Sequence, residues 1–138
     1  MPKIFKQNSL VILLAALAFF MIGWLWYGVL FEEQWLKLTG MDNTETTEGM
    51  GRALAIGFVI ALLQALGLAA ILSLKDRVSL MSGLKVSALA WLFFALPISA
   101  YAWNYAGAAL GLLKIDAGHL LAGYLVMGAV YGLLGKRG

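Results

Sequence analysis

The run from Ile115 to Leu134 is long and apolar enough to cross a bilayer, yet it opens on Asp116-Ala117-Gly118-His119. A carboxylate and an imidazole at the edge of hydrocarbon are costly unless partnered, so the segments beside this run must answer to them. Three other stretches share its character, at about 9–31, 52–74 and 86–105. Composition agrees: 62% of residues are hydrophobic, 12% are charged and the mean hydropathy is +0.88, where soluble domains carry about a quarter charged residues. The expected fold is all-α, one domain over 1–138: a polytopic membrane protein with a bundle of four transmembrane helices, the fourth at 115–134.

Charge sets the orientation. The net charge is only +3, and the ten Lys and Arg residues fall in short clusters between apolar runs, a pattern of membrane topology and not of nucleic-acid binding. Lys3, Lys6, Lys75, Arg77, Lys85, Lys136 and Arg137 fall on one side, and Lys37, Arg52 and Lys114 on the other. The richer side is expected to be cytoplasmic, with both termini inside. Without Cys there is no disulfide, no thiolate nucleophile and no cysteine metal site.

The first run follows Lys3 and Lys6 as a secretory signal would, but it exceeds the roughly 7 to 15 residues of a signal core and ends in Gly23-Trp24-Leu25-Trp26-Tyr27. It reads as a retained span with an interfacial aromatic end, where Trp24, Trp26, Trp35 and Trp103 gather. Phe31, Trp35 and Leu38 recur at helical spacing, which predicts a short amphipathic helix on the membrane surface. Thr39 to Thr44 is turn chemistry, and Asp42, Glu45 and Glu48 read as a solvated loop.

In the second run, small residues recur at every fourth position through Gly57, Ala61 and Ala65. Helices in lipid associate largely through close backbone approach, so this face is expected to pack against another helix, as is the Gly128-to-Gly132 pair. Gln64 lies near mid-depth and needs a partner. Pro97 in the third run deprives the Phe93 carbonyl of its usual donor, and the Gln64 amide is expected to supply it.

The stretch Trp26-Tyr27, with Val29-Leu30-Phe31 and Trp35-Leu36-Lys37-Leu38-Thr39-Gly40, resembles the first-helix signature of a small bacterial membrane family, domain of unknown function seventeen sixty-one. Asp116-Ala117-Gly118, with Met127-Gly128-Ala129 and Gly132, is similar to that family's last-helix signature. Gly28 stands where a Ser-Pro pair often begins, and His119 stands where the pattern has an aromatic. The resemblance implies a four-helix protein of the bacterial cytoplasmic (inner) membrane and assigns no chemistry.

Asp116 and His119 share a helix face and have the geometry to hold a proton or half a metal site. A metal needs three or four ligands and no second His exists, so the expectation is no metal, no cofactor and no enzyme. Asp116 instead reads as a cap and dipole partner at the first turn of the fourth helix, with His119 as an interfacial aromatic. Ser9, Ser73, Ser79, Ser82, Ser87 and Ser99 lack a paired base. Two function classes remain. One is a non-catalytic accessory subunit in a larger membrane complex or homo-oligomer, because four short helices leave little room for a cavity. The other is a small transporter or channel with a polar path through Gln64, Asn104, Asp116 and His119. Neither involves nucleic acid, and the lipid bilayer is an expected partner of both. Reporter fusions at Lys3, Asp76 and Gly138 should read cytoplasmic, and fusions near Asn43 and Gly107 external; an external C-terminus contradicts the charge argument.

Overall fold

The computed structural model describes residues 2–40 and 49–135. The turn residues Met41 to Thr44, the acids Asp42, Glu45 and Glu48, and the closing Lys136 and Arg137 lie outside the described residues. Four helices are long and apolar enough to cross a membrane: Ser9–Leu30, Met50–Leu72, Leu80–Tyr105 and Leu110–Leu134. The first comprises α1 (Ser9–Leu25) and a π-helical segment, Trp26–Leu30. The short α2 (Glu32–Thr39) follows and stops at Gly40, whose φ of 72° suits a residue without Cβ. The second span is α3 (Met50–Leu72). The third joins α4 (Leu80–Ala90), a second π-helical segment, Trp91–Ala95, and α5 (Leu96–Tyr105); the fourth is α6 (Leu110–Leu134).

A hairpin of β1 (Lys3–Ile4) and β2 (Gln7–Asn8) precedes them, paired Lys3 to Asn8 and Ile4 to Gln7. Its turn residues Phe5 and Lys6 take φ of 52° and 66°, the left-handed pair that a two-residue hairpin loop requires. The hairpin ends where the Asn8 side chain accepts from the Leu10 N–H at 2.9 Å and starts α1.

Two helix starts differ from expectation. The third span begins at Leu80 and not near 86, because Ser79 and Ser82 form a reciprocal capping box: each hydroxyl accepts from the other's backbone N–H, at 3.2 and 2.8 Å. Lys85 therefore sits on the exposed side of a helix, not in a turn. The fourth begins at Leu110 and not at 115, since Gly107 turns the chain at φ 72° and the extended Ala109 leads into the helix.

The packing is centred on α6, which lies between α1 and α4, while α3 rests on α1 and scarcely meets α4. The small-residue face of α3 thus finds the first span and not the third. Ala61 and Ala65 are buried with Ile12, Ala15, Ala16 and Phe19 of α1, and Gly57 faces the Phe20 ring. Tyr131 of α6 is fully buried and donates its O–H to the Ala65 carbonyl at 2.6 Å, tying α6 to α3.

Where α4 meets α6 the backbones touch. A Cβ on Gly83 would overlap the Gly128 carbonyl, one on Gly128 would overlap the Ser87 hydroxyl and the Gly83 backbone, and one on Gly132 would strike Ser79 and Leu80. The close approach is available only to glycine, and dispersion over that seam is what holds two apolar helices together in lipid. Gly128→Ala should accordingly destabilise the purified protein by about 1 to 3 kcal/mol, the usual cost of overpacking. Gly67→Ala, where a Cβ meets nothing within 4 Å, should not destabilise. Thermal unfolding in detergent reads both, and equal stability of the two variants contradicts the seam.

Candidate functional site

Three successive residues of α6 are gripped from both sides. The Trp26 indole N–H donates to the Ile115 carbonyl at 2.9 Å, the Tyr27 hydroxyl donates to Asp116 Oδ1 at 2.5 Å, and the Trp91 indole N–H donates to the Ala117 carbonyl at 2.8 Å. Trp26 and Trp91 each open a π-helical segment. The wider turn of a π-segment shifts the following side chains around the helix and is frequent at functional sites. Gly118 makes room for the grip: a Cβ there would lie 3.1 Å from the Trp26 ring.

This geometry corrects the reading of Asp116. It lies about 9 Å beyond Leu110 at 1.5 Å per residue, so it neither caps α6 nor sits in its first turn; the first turn of α6 has no acid. Its structural partner is the Tyr27 hydroxyl. Trp26, expected in an interfacial belt, instead bonds within the bundle, while Trp24 and Trp103 are exposed. The amphipathic α2 folds its apolar side onto these elements: Phe31 meets Trp26 with centroids 5.1 Å apart, Trp35 meets Tyr27 edge-on at 5.8 Å, and Leu38 covers Gly111.

His119, one turn beyond Asp116, behaves as an aromatic. It stacks on Phe19 with centroids 5.3 Å apart and planes at 16°, meets Tyr27 edge-on at 5.0 Å, and its Nε2 comes close above Gly23. Among the described residues no three metal-ligating side chains come together.

Two open recesses adjoin this aromatic cluster, a polar cavity and an apolar cleft. A polar cavity of about 440 Å³ is lined by Ser99 of α5, Asp116 and the common group Tyr27, Trp35, His119 and Leu120. An apolar cleft of about 800 Å³ lies on the other side of that common group, between α1 and α3. It exists because α3 is buried only from Ala61 onward; Met50 to Ile56 are exposed, so this half of α3 leans away from the aromatic end of α1. Gln64 lines the cleft at its narrow end.

Of the four candidate polar residues, the structure brings Asp116 and His119 together, sets Gln64 across the cleft, and leaves Asn104 exposed on α5 in neither lining. The expected bond from Gln64 to the Phe93 carbonyl is not made. Gln64 Oε1 accepts from the Tyr124 hydroxyl at 2.8 Å, while Gln64 Nε2 turns back to the Ile60 carbonyl. Phe93 faces outward, 63% exposed. Pro97 directly follows the second π-helical segment, which has already shifted the backbone bonding there away from the regular ladder, with the Leu96 N–H reaching the Trp91 carbonyl. Tyr27, Tyr124, Trp91 and Ser99 escaped sequence reasoning as site residues; a tyrosine or tryptophan deep in a span, needing a partner for its polar tip, was the available signal. A double-mutant cycle of Gln64→Leu with Tyr124→Phe should give a coupling near 0.6 kcal/mol, the average for such bonds in membranes, whereas Gln64→Leu with Pro97→Ala should be additive.

The two stretches that carried the family resemblance, Trp26-Tyr27 and Asp116-Ala117-Gly118, are thus the two that meet. No curated protein and no solved structure matches the chain. The sequence model of the family described as Protein of unknown function (DUF1761) matches residues 10–132, and with nearly the whole chain covered the protein belongs to that family.

Proposed function

We propose that this membrane protein is a non-catalytic binding protein for a small lipophilic solute, of the small-transporter class, in the bacterial cytoplasmic membrane with both termini inside. The observation that carries the reading is the junction of an apolar cleft and a polar cavity at Tyr27, Trp35, His119 and Leu120. Both volumes fall in the range of about 300 to 1,000 Å³ typical of small-molecule sites, and an apolar wall with a few convergent polar groups is their usual lining. A bulk lipid chain alone would need none of those polar groups. The half of the bundle nearer the termini is closed by Ile12, Ala16, Leu68, Leu72, Met127 and Tyr131, which favours a one-sided site over an open channel. The orientation rests on the distribution of Lys and Arg.

A second reading has its own support. Among the described residues no helix covers the outward half of α3 from Met50 to Ile56, as a subunit docking on a larger complex or on its own copy would require.

The neutral fluorophore N-phenyl-1-naphthylamine tests the first reading, because Trp24 and Trp35 line the cleft and can transfer excitation to it. The detergent-purified protein should quench saturably on titration. Ala53→Phe and Gly57→Leu, which fill the cleft, should weaken the dye about ten-fold or more, as a blocked pocket would. Leu133→Ala, on the exposed far end of α6, should not. Quenching that never saturates, or is equal in all variants, contradicts a dedicated site.

A further inference from the structure

The polar cavity identifies the chemical class of the solute, an inference that rests on the binding reading above. Its lining is rich in free acceptors. The Tyr27 hydroxyl hydrogen is committed to Asp116 Oδ1, and the Ser99 hydroxyl donates to the Ala95 carbonyl at 2.7 Å. With those two hydrogens in use, an ionised Asp116 and the Ser99 hydroxyl, both in the lining, offer the cavity lone pairs and no donor. Among the described residues no Lys or Arg pairs with Asp116, whose hydrogen-bond partner is neutral. A carboxylate set into a span without a counter-ion is expensive, and such residues face a cavity or a partner.

The surrounding groups point the same way. Tyr27 and Trp35 line the same space, and tyrosine and tryptophan rings are among the side chains whose faces attract a cation. An alkaline-earth ion is a poor match, since it demands about six oxygens, and any inorganic ion would leave the adjoining apolar cleft unexplained. An anion or a carboxylic acid would meet Asp116 with like charge or compete for donors that the two hydroxyls no longer offer.

We infer that the site takes a lipophilic ammonium compound, its protonated amine held by Asp116 and Ser99 in the polar cavity and its apolar portion directed across Tyr27 and Trp35 into the cleft between α1 and α3. Three N–H donors of a primary ammonium meet the carboxylate and the hydroxyl oxygen, while the chain replaces lipid or water in the larger space.

Displacement of N-phenyl-1-naphthylamine by n-octylammonium and by 1-octanol, at neutral pH in the same detergent, tests this with two probes of one tail and different heads. Octylammonium should displace the dye from the unaltered protein at a concentration roughly ten-fold or more below octanol, the ratio expected of one charge-assisted hydrogen bond. Asp116→Asn should abolish the difference while the dye still binds. Ser99→Ala, which leaves the Tyr27–Asp116 bond in place, should reduce it several-fold, and keeps the inference testable if Asp116→Asn does not fold. Equal displacement by the two probes overturns the ammonium assignment and leaves the cleft reading standing. Failure of the dye to bind saturably overturns the cleft reading and this inference together.

Discussion

The structure depends on how one stretch of α6 is held. Within a bilayer a helix satisfies its own backbone, so carbonyls at mid-helix have only a second lone pair to offer. Trp26 and Trp91 take that lone pair on Ile115 and Ala117, from the first and third spans, and Tyr27 takes the side chain between them. Each indole brings a large apolar body whose one polar atom must be satisfied away from water. One arrangement therefore buries aromatic surface, pairs every donor and fixes the rotation of α6 relative to both neighbours. Rotation matters because Asp116 and His119 would otherwise meet hydrocarbon.

The two ends of the bundle are built on different principles. Toward the termini, alanines of α1 and α3 and glycines of α4 and α6 bring helices to backbone contact, and bulky residues such as Leu72 and Tyr131 are wholly enclosed. At the other end large aromatics hold the helices apart. Phe19 fills the space over Gly123, where a Cβ would overlap its ring, and from there outward the first span carries Phe20, Trp24, Trp26 and Tyr27. Small residues close a bundle and large ones open it, so the position of the cleft follows from where the sequence changes between them. The same change explains why α3 is buried in its second half only.

Much of this was legible. Four spans follow from hydropathy alone, and the small-residue positions Ala61, Ala65, Gly128 and Gly132 mark surfaces that do lie against other helices. The errors have specific causes. The apolar run places the start of the fourth helix at 115 and Asp116 at a cap, but Leu110, Gly111, Leu112 and Leu113 already form helix ahead of Lys114. Pairing Gln64 with the third span rests on the carbonyl that Pro97 frees at a similar depth; in the fold α6 and α1 intervene, and the Tyr124 hydroxyl reaches Gln64 first. The apolar cleft arises from a divergence of α1 and α3, a property of packing that no residue pattern states.

Holding Asp116 costs more than packing α6 requires. The two indole bonds and the glycine seam already fix α6, and an apolar residue at 116 would spare the desolvation of a carboxylate. An Asp whose partner among the described residues is a phenol, facing a cavity and not a cation, is an expense that the fold does not need. Half-buried polar groups of this kind are where local stability rules are broken for the sake of a site. His119 makes the complementary case: its imidazole does the work of a stacked aromatic against Phe19 and Tyr27, and a phenyl ring would serve there as well. Of these two residues of the fourth span, it is therefore Asp116 whose presence calls for a ligand, while His119 shapes the wall against which that ligand lies.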